Sequence, residues 1–296
     1  MLIVSIILVE NRCLNCSAPL GPPISSFAKC SYCESEFYLP PVSGFRIPDP
    51  REYPHPPGLG KVEVGNDAYR VHGRLAQGRH CDVFAARRER ALTELVVLKV
   101  ARTGGEEGLR REWEALHKVR AHHEYLRHLT GAPLSLETGR CPGHQDRLTA
   151  VYQWRCGFSF TFLDAQNQYP QGVDPRAAVW MWNRILDQLA CLQRVGYSHN
   201  ALSLEHLLLH PRDHGVAFCG WSEAAPGQGQ DLHDSGACIN AILAPLAPRT
   251  LRQLAREAGS FSDAGALKQE LKEVSEALFG PPRFHKFVLA TALTRA

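Results

Sequence analysis

The sequence predicts an α+β chain with a small strand-rich lobe and a larger helical lobe, preceded by a compact four-cysteine module. Three observations carry that expectation. Residues 69–120 read in the order strand, turn, strand, strand, helix. Residues 175–195 repeat apolar side chains at three- and four-residue steps, then lead through a loop into two short β-prone runs, 207–209 and 216–219. Near the N-terminus stand two Cys-x2-Cys pairs. At 296 residues, 44% apolar and 21% charged, the chain is long enough to bury a sizeable core. The organisation that follows is a metal-binding module at 1–39, a linker at 40–66 and a two-lobed domain at 67–296 whose lobes divide at about 156/157.

The first pair, Cys13 and Cys16, is separated by 13 residues from the second, Cys30 and Cys33. Two tight turns, each presenting two thiolates, supply the four soft donors that tetrahedral Zn2+ needs. A module this short builds no core of its own, so the metal would provide most of its folding free energy. Four protein thiolates leave no open position for water, so the zinc is structural. Two disulfides or an iron–sulfur cluster are the competing uses of the same residues. The pattern resembles a zinc ribbon, with Phe37 and Tyr38 as a strand after the second pair. Arg12 and Lys29 are offset by Glu34 and Glu36, so the module shows no basic patch, and contact with a protein is expected over contact with nucleic acid.

Charge points the same way. The net charge of +3 comes from 33 basic and 30 acidic residues, and only seven of the basic ones are Lys. Residues 1–9 are apolar but too short to span a bilayer, and they lack the basic start and cleavage site of a signal peptide. The other six cysteines, Cys81, Cys141, Cys156, Cys191, Cys219 and Cys238, are scattered singly, as suits small core side chains in a reducing compartment. A cytoplasmic protein without a membrane span is expected.

Residues 40–60 carry seven prolines and read as a stiff, extended boundary. In the small lobe, Lys99 ends the apolar run Val96-Val97-Leu98, and a Lys in so apolar a strand must find a partner or leave the core. Glu112 supplies one, in a helix whose apolar stripe is Leu109, Trp113 and Leu116; the alternative is that Lys99 snorkels at the strand end. Residues 148–154 read as the last strand of the lobe. In the large lobe, Asp174 is an N-cap with Pro175 at the first helical position, and Ala178, Met181, Ile185, Leu189 and Leu192 form the apolar face of a long helix. Further helices are expected from Asp231 onward, over 251–258 and over 264–279, with an extended tail beyond.

Residues 67–296 resemble the protein-kinase fold from end to end. The stretch 197–222 keeps the frame of a kinase catalytic loop followed by two short strands and a metal-binding turn. His199 holds the His position of the His-Arg-Asp loop, while Asn200 and Ala201 stand where the Arg and the base Asp belong. His206 takes the place of the metal-binding Asn, and the metal Asp falls at Phe218 or Gly220. In the small lobe the three positions of the glycine-rich turn map to Ala76, Gly78 and Cys81, Val83 maps to the valine over the adenine, and Lys99 with Glu112 to the strand-to-helix ion pair. Residues 155–157 map to the hinge and Asp231 to the Asp that braces the catalytic loop from below. The interval before Asp231 is too short for an activation segment. A closer likeness is to divergent bacterial kinase-like proteins with a His-Gly-Ala…Pro-x-His loop, a later His-Gly and an Asp-Trp turn. Leu204, His206, His214-Gly215 and Gly220-Trp221 stand at the corresponding places.

The resemblance implies a pseudokinase, a protein-binding scaffold or regulator, with bacterial stress or defence systems as a setting. The alternative is an atypical nucleotide-dependent serine/threonine kinase or other phosphate-group transferase, for which ATP is the candidate ligand, Gly78, Val83, Lys99 and Glu112 its contacts, and Glu205, Asp213 and Glu223 the nearest carboxylates. A weaker third reading is a nucleic-acid adaptor led by the ribbon. On the transferase reading, His206 and His214 are candidate ligands for a softer metal.

Overall fold

The computed structural model describes residues 27–29, 31, 36–38, 60–90, 94–129, 131–140, 146–155 and 157–289. They fall into two compact units: the first holds the described residues up to Glu106 and Leu134–Gly157, the second Glu107–Pro133 and Phe158–Leu289.

In the first unit, β1 (Phe27–Lys29) and β2 (Glu36–Tyr38) pair antiparallel, with Phe27 opposite Tyr38. Cys30 and Cys33 fall between these strands in the chain; all four candidate zinc ligands lie outside the described residues. The remainder of the unit is a closed barrel in the order β3-β4-β5-β6-β8-β7, formed by β3 (Lys61–Val64), β4 (Asp67–Gln77), β5 (Cys81–Arg88), β6 (Glu94–Ala101), β7 (Pro133–Arg140) and β8 (Arg147–Gln153). Alternation builds it: Val62 and Val64 face inward from β3 while Lys61 and Glu63 face water. Val62, Val64, Tyr69, Phe84, Val96, Leu98, Val100 and Val151 make a continuous interior cluster. Strand β3 lies inside the stretch read as linker, and β7, which pairs with β3 at Glu63↔Arg140 and Val64↔Gly139, closes the barrel.

The second unit opens on α1 (Glu106–His122) and α2 (Glu124–Leu129). The buried face of α1 is Gly108, Leu109, Glu112, Ala115, Leu116 and Val119, so Glu112 lies on an otherwise apolar stripe. Strand β9 (Phe160–Thr161) leads into α3 (Phe162–Gln168), which Thr161 and Asp164 start with a capping box. The central helix is α4 (Pro175–Arg194), where the Asp174 carboxylate accepts from the Arg176 amide and Pro175 occupies the first turn. It packs against α5 (Asp231–Ile242) and α7 (Ala264–Phe279), and α6 (Arg249–Arg256) packs on α5. Side-chain bonds fix these contacts: Trp182 Nε1 donates to Ser235 Oγ at 3.1 Å, and the Ala264 amide donates to Gln193 Oε1 at 2.9 Å. Between α4 and α5 lie β10 (Tyr197–Ser198), β11 (Leu207–His210), β12 (Gly215–Phe218) and β13 (Ala225–Pro226). Strands β12, β11 and β9 form one small sheet, and β10 with β13 another.

Candidate functional site

The loop between β10 and β11 and the turn after β12 come together at the N-terminus of α5. Asp231 is the anchor. Its Oδ2 accepts the His199 amide at 2.7 Å and its Oδ1 the Asn200 amide at 2.8 Å. Burial raises the Asp231 pKa above the ordinary carboxylate value, while these two amide donors pull the other way. The loop is thereby turned sharply: Asn200 has φ 59, a conformation in which Asn is among the better-tolerated residues. Asn200 Nδ2 reaches across to the Glu223 carbonyl at 3.2 Å. Gly229 comes so close that a Cβ there would lie 1.8 Å from Asn200 Oδ1, so a side chain at 229 would push the Asn200 amide from its place.

His199 is fully buried. Its Nε2 donates to the Cys219 carbonyl at 3.1 Å, and its ring packs edge-on against Trp221 and Phe218. It therefore acts as a brace between the loop and the turn. His206 donates from Nδ1 to the Ala201 carbonyl at 2.6 Å, which fixes the ring and leaves Nε2 as the lone-pair nitrogen of the neutral form. That ring lies over Gly220. Gly220 has φ 76, and a Cβ built on it would stand 2.6 Å from both Cδ2 and Nε2 of His206. Of the two positions that the kinase resemblance gives for a metal-binding carboxylate, Gly220 thus has no side chain, and one there would have to displace the His206 ring, while Phe218 is buried and apolar.

From Ser222 the chain returns to α5 at once. Arg111 of α1 donates to the Ser222 carbonyl at 3.1 Å, β13 pairs with β10, and the Gly227 amide donates to the Gly196 carbonyl at 2.9 Å. Ser198 Oγ donates to the Gly227 carbonyl at 2.7 Å. Beneath the hairpin, fully buried Gln188 donates to the Val216 carbonyl at 2.8 Å. Arg111, Gln188 and Gly229 have no motif around them and were not singled out from the sequence. Only the three-dimensional approach reveals them.

Of the carboxylates the sequence places nearest, Glu205 adjoins His206 and Glu223 lies in the turn after β12, and both residues are exposed. Asp213 lies in the turn at the far end of the β11–β12 hairpin, bound to Arg212 at 2.8 Å and to His210 at 3.3 Å. Burial raises its pKa, but the Arg212 bond and neighbouring cations bring the net shift below the ordinary value. His206 and His214 also stand at opposite ends of that hairpin, which pairs Leu207 with Phe218 and His210 with Gly215. About four residues of strand, roughly 13 Å, separate them, so they do not share a metal.

In the first unit, Val83 and Lys99 are cross-strand partners, and Lys99 is also opposite Ala150. They share the face of the sheet opposite the interior cluster. Lys99 Nζ lies 5.4 Å from the centroid of the Tyr152 ring, and only 9% of Lys99 is exposed. The Gly78 amide closes its hairpin on the Cys81 carbonyl at 2.8 Å, and Arg102 donates to the Gly78 carbonyl at 3.3 Å. The Gly78 amide is therefore engaged within the turn and its carbonyl by Arg102. Glu112, on α1 of the second unit, is 3% exposed. Cys81, Cys191 and Cys238 are buried and Cys219 is half-buried; none of these four forms a disulfide, and burial pushes the Cys238 thiol up to about 12.

No family model matches the chain, and no curated protein matches it. Solved structures do. The chain is similar to the structure of vaccinia related kinase 3, with 12% identity and a TM-score of 0.54, over 74% of this chain and 91% of that one. It is also similar to the crystal structure of the BubR1 kinase domain, with 11% identity and a TM-score of 0.58, over 76% and 85% of the two chains. This chain has a protein-kinase-like fold. At such identities the likeness concerns the fold alone. Among the described residues no helix is long and apolar enough to cross a membrane, and no group of three or more metal-ligating side chains occurs.

Proposed function

We propose that the chain is a catalytically degenerate protein-kinase-like protein, a pseudokinase that binds protein partners. The observation that carries this reading is the His206 ring packed over Gly220. Phosphoryl transfer needs a cation bridging the phosphates and a carboxylate orienting the attacking hydroxyl. Imidazole fills the space that a cation-binding side chain at 220 would need, and Ala201 offers no base. The one buried carboxylate at the loop, Asp231, spends both oxygens on backbone amides.

Several elements of this reading rest on the sequence. Structural Zn2+ held by Cys13, Cys16, Cys30 and Cys33 is proposed from their spacing and is checked by the metal content of the purified chain, one zinc per molecule being expected. A cytoplasmic location is proposed from the scattered single cysteines. The second reading, an atypical transferase, draws on His206: a ring oriented by a carbonyl, with Nε2 unprotonated, has the form of a general base.

Transfer of labelled phosphate from ATP to protein acceptors, with Mg2+ or Mn2+, separates the two. A pseudokinase gives incorporation no higher than its Lys99→Ala variant. Incorporation that needs both Lys99 and His206 overturns the proposal in favour of the transferase.

A further inference from the structure

After α7 the chain runs from Gly280 to Leu289 without regular secondary structure, along the surface of the second unit. Phe287 and Leu289 are buried while Lys286 and Val288 are exposed, the alternation of an extended segment. The surface beneath it is aromatic. Phe287 stacks on Tyr169, the residue that ends α3, at 5.5 Å and meets Trp180 of α4 edge-on at 6.0 Å. Three residues earlier, Phe284 stacks on the His214 ring at 4.3 Å (interplanar 14°), and that ring stacks in turn on Trp180 at 4.3 Å (2°).

The polar contacts keep the same three-residue step. His214 Nε2 donates to the His285 carbonyl at 2.9 Å, and Tyr169 Oη donates to the Val288 carbonyl at 2.6 Å. Each Phe of the segment is thus followed by a carbonyl that the track binds. Main-chain bonds that fix register, with side-chain sites that choose the residue, are the means by which folded domains hold extended peptides from other proteins.

Two features make the segment an exchangeable occupant. Among the described residues it joins no sheet, so no strand ladder breaks when it leaves, and Phe284 stays 71% exposed on its stack. The fit is also incomplete. Trp180, which touches both Phe287 and His214, buries its Nε1 with no acceptor among the described residues. A buried donor left unpaired costs free energy, so a segment that brings an acceptor to it gains over the strap.

We propose that Tyr169, Trp180 and His214 form a docking site for an extended segment of a partner protein with aromatic side chains three residues apart, and that residues 281–289 occupy it in cis until that segment displaces them. The proposal rests on the partner-binding part of the proposed function and gives that binding a place. Because the strap is tethered, it competes at an effective concentration of about millimolar.

A labelled peptide of residues 281–289, titrated against the full chain and followed by fluorescence anisotropy, tests the site. Phe284→Ala together with Phe287→Ala loosens the strap and should tighten peptide binding about tenfold or more over wild type. Adding Tyr169→Phe, which removes only the hydroxyl that binds Val288, should weaken it again roughly threefold to tenfold. A peptide with Ala at both 284 and 287 should not bind. Hydrogen exchange of the wild-type chain needs no variant: unlabelled peptide in excess should raise exchange over residues 281–289 and leave α7 unchanged. The proposal is overturned if the loosened chain keeps α7 protected yet binds no peptide, or if it binds no more tightly than wild type. Equal binding of the Ala peptide, or wild-type strap exchange that excess peptide does not change, does the same. A wild-type dimer that falls to monomer on the double substitution would make the strap of a second copy the occupant, which also overturns it. These readouts are peptide binding and exchange, so their failure is distinct from the phosphate incorporation that would end the pseudokinase reading.

Discussion

At Gly220 the left-handed backbone and the overlying His206 ring reinforce each other. A side chain at 220 would strain the φ of 76 and also displace the imidazole. Gly220→Asp should therefore cost about 1–3 kcal/mol of stability and create no cation site. Adding His206→Asn should recover part of that loss, because the smaller amide vacates the space. Urea unfolding of the single and double variants measures both effects; an undestabilised Gly220→Asp would mean that the ring moves aside freely. The sequence reveals which loop residues are substituted, since the frame from His199 to His206 is legible residue by residue. It does not reveal that one substitution physically covers another. That depends on the hairpin bringing 206 beside 220, fourteen residues apart. His214 is illegible for the same reason: among 14 histidines nothing local marks the one that a distant Phe284 stacks upon.

Among the elements, α5 and the loop it braces depend on a single carboxylate. Asp231→Ala would strand the amides of His199 and Asn200, each at about 1–3 kcal/mol when left buried without an acceptor, so a loss of about 2–4 kcal/mol is expected. Asp231→Asn can accept only through its remaining oxygen and should lose about half as much. Equal stability of wild type and Asp231→Ala in a denaturant titration would show that water replaces the carboxylate. Long helices were readable because both pattern and punctuation agree: Asp174 and Pro175 open α4, and Gly196 follows its end. The barrel was less readable. Strand β3 offers only Val62 and Val64 after a proline-rich run, and β7 is too polar to signal burial, so closure of the barrel comes from tertiary pairing. The glycine turn was legible as a turn, whereas the engagement of the Gly78 amide by Cys81 is visible only in its geometry.

For the whole molecule, a kinase-like fold is shared at identities near one residue in eight, because strand alternation and apolar helix faces constrain residue character rather than identity. The ribbon cysteines remain a matter of spacing, since they lie outside the described residues. The proposed function requires that the kinase-like fold bind no cation-complexed nucleotide. Thermal unfolding of the zinc-loaded chain with ATP, with and without Mg2+ or Mn2+, tests it most directly. A ligand of the folded state must raise the melting temperature by mass action. No cation-dependent rise is expected at ATP concentrations up to about millimolar. A rise that requires Mg2+ or Mn2+ would contradict it.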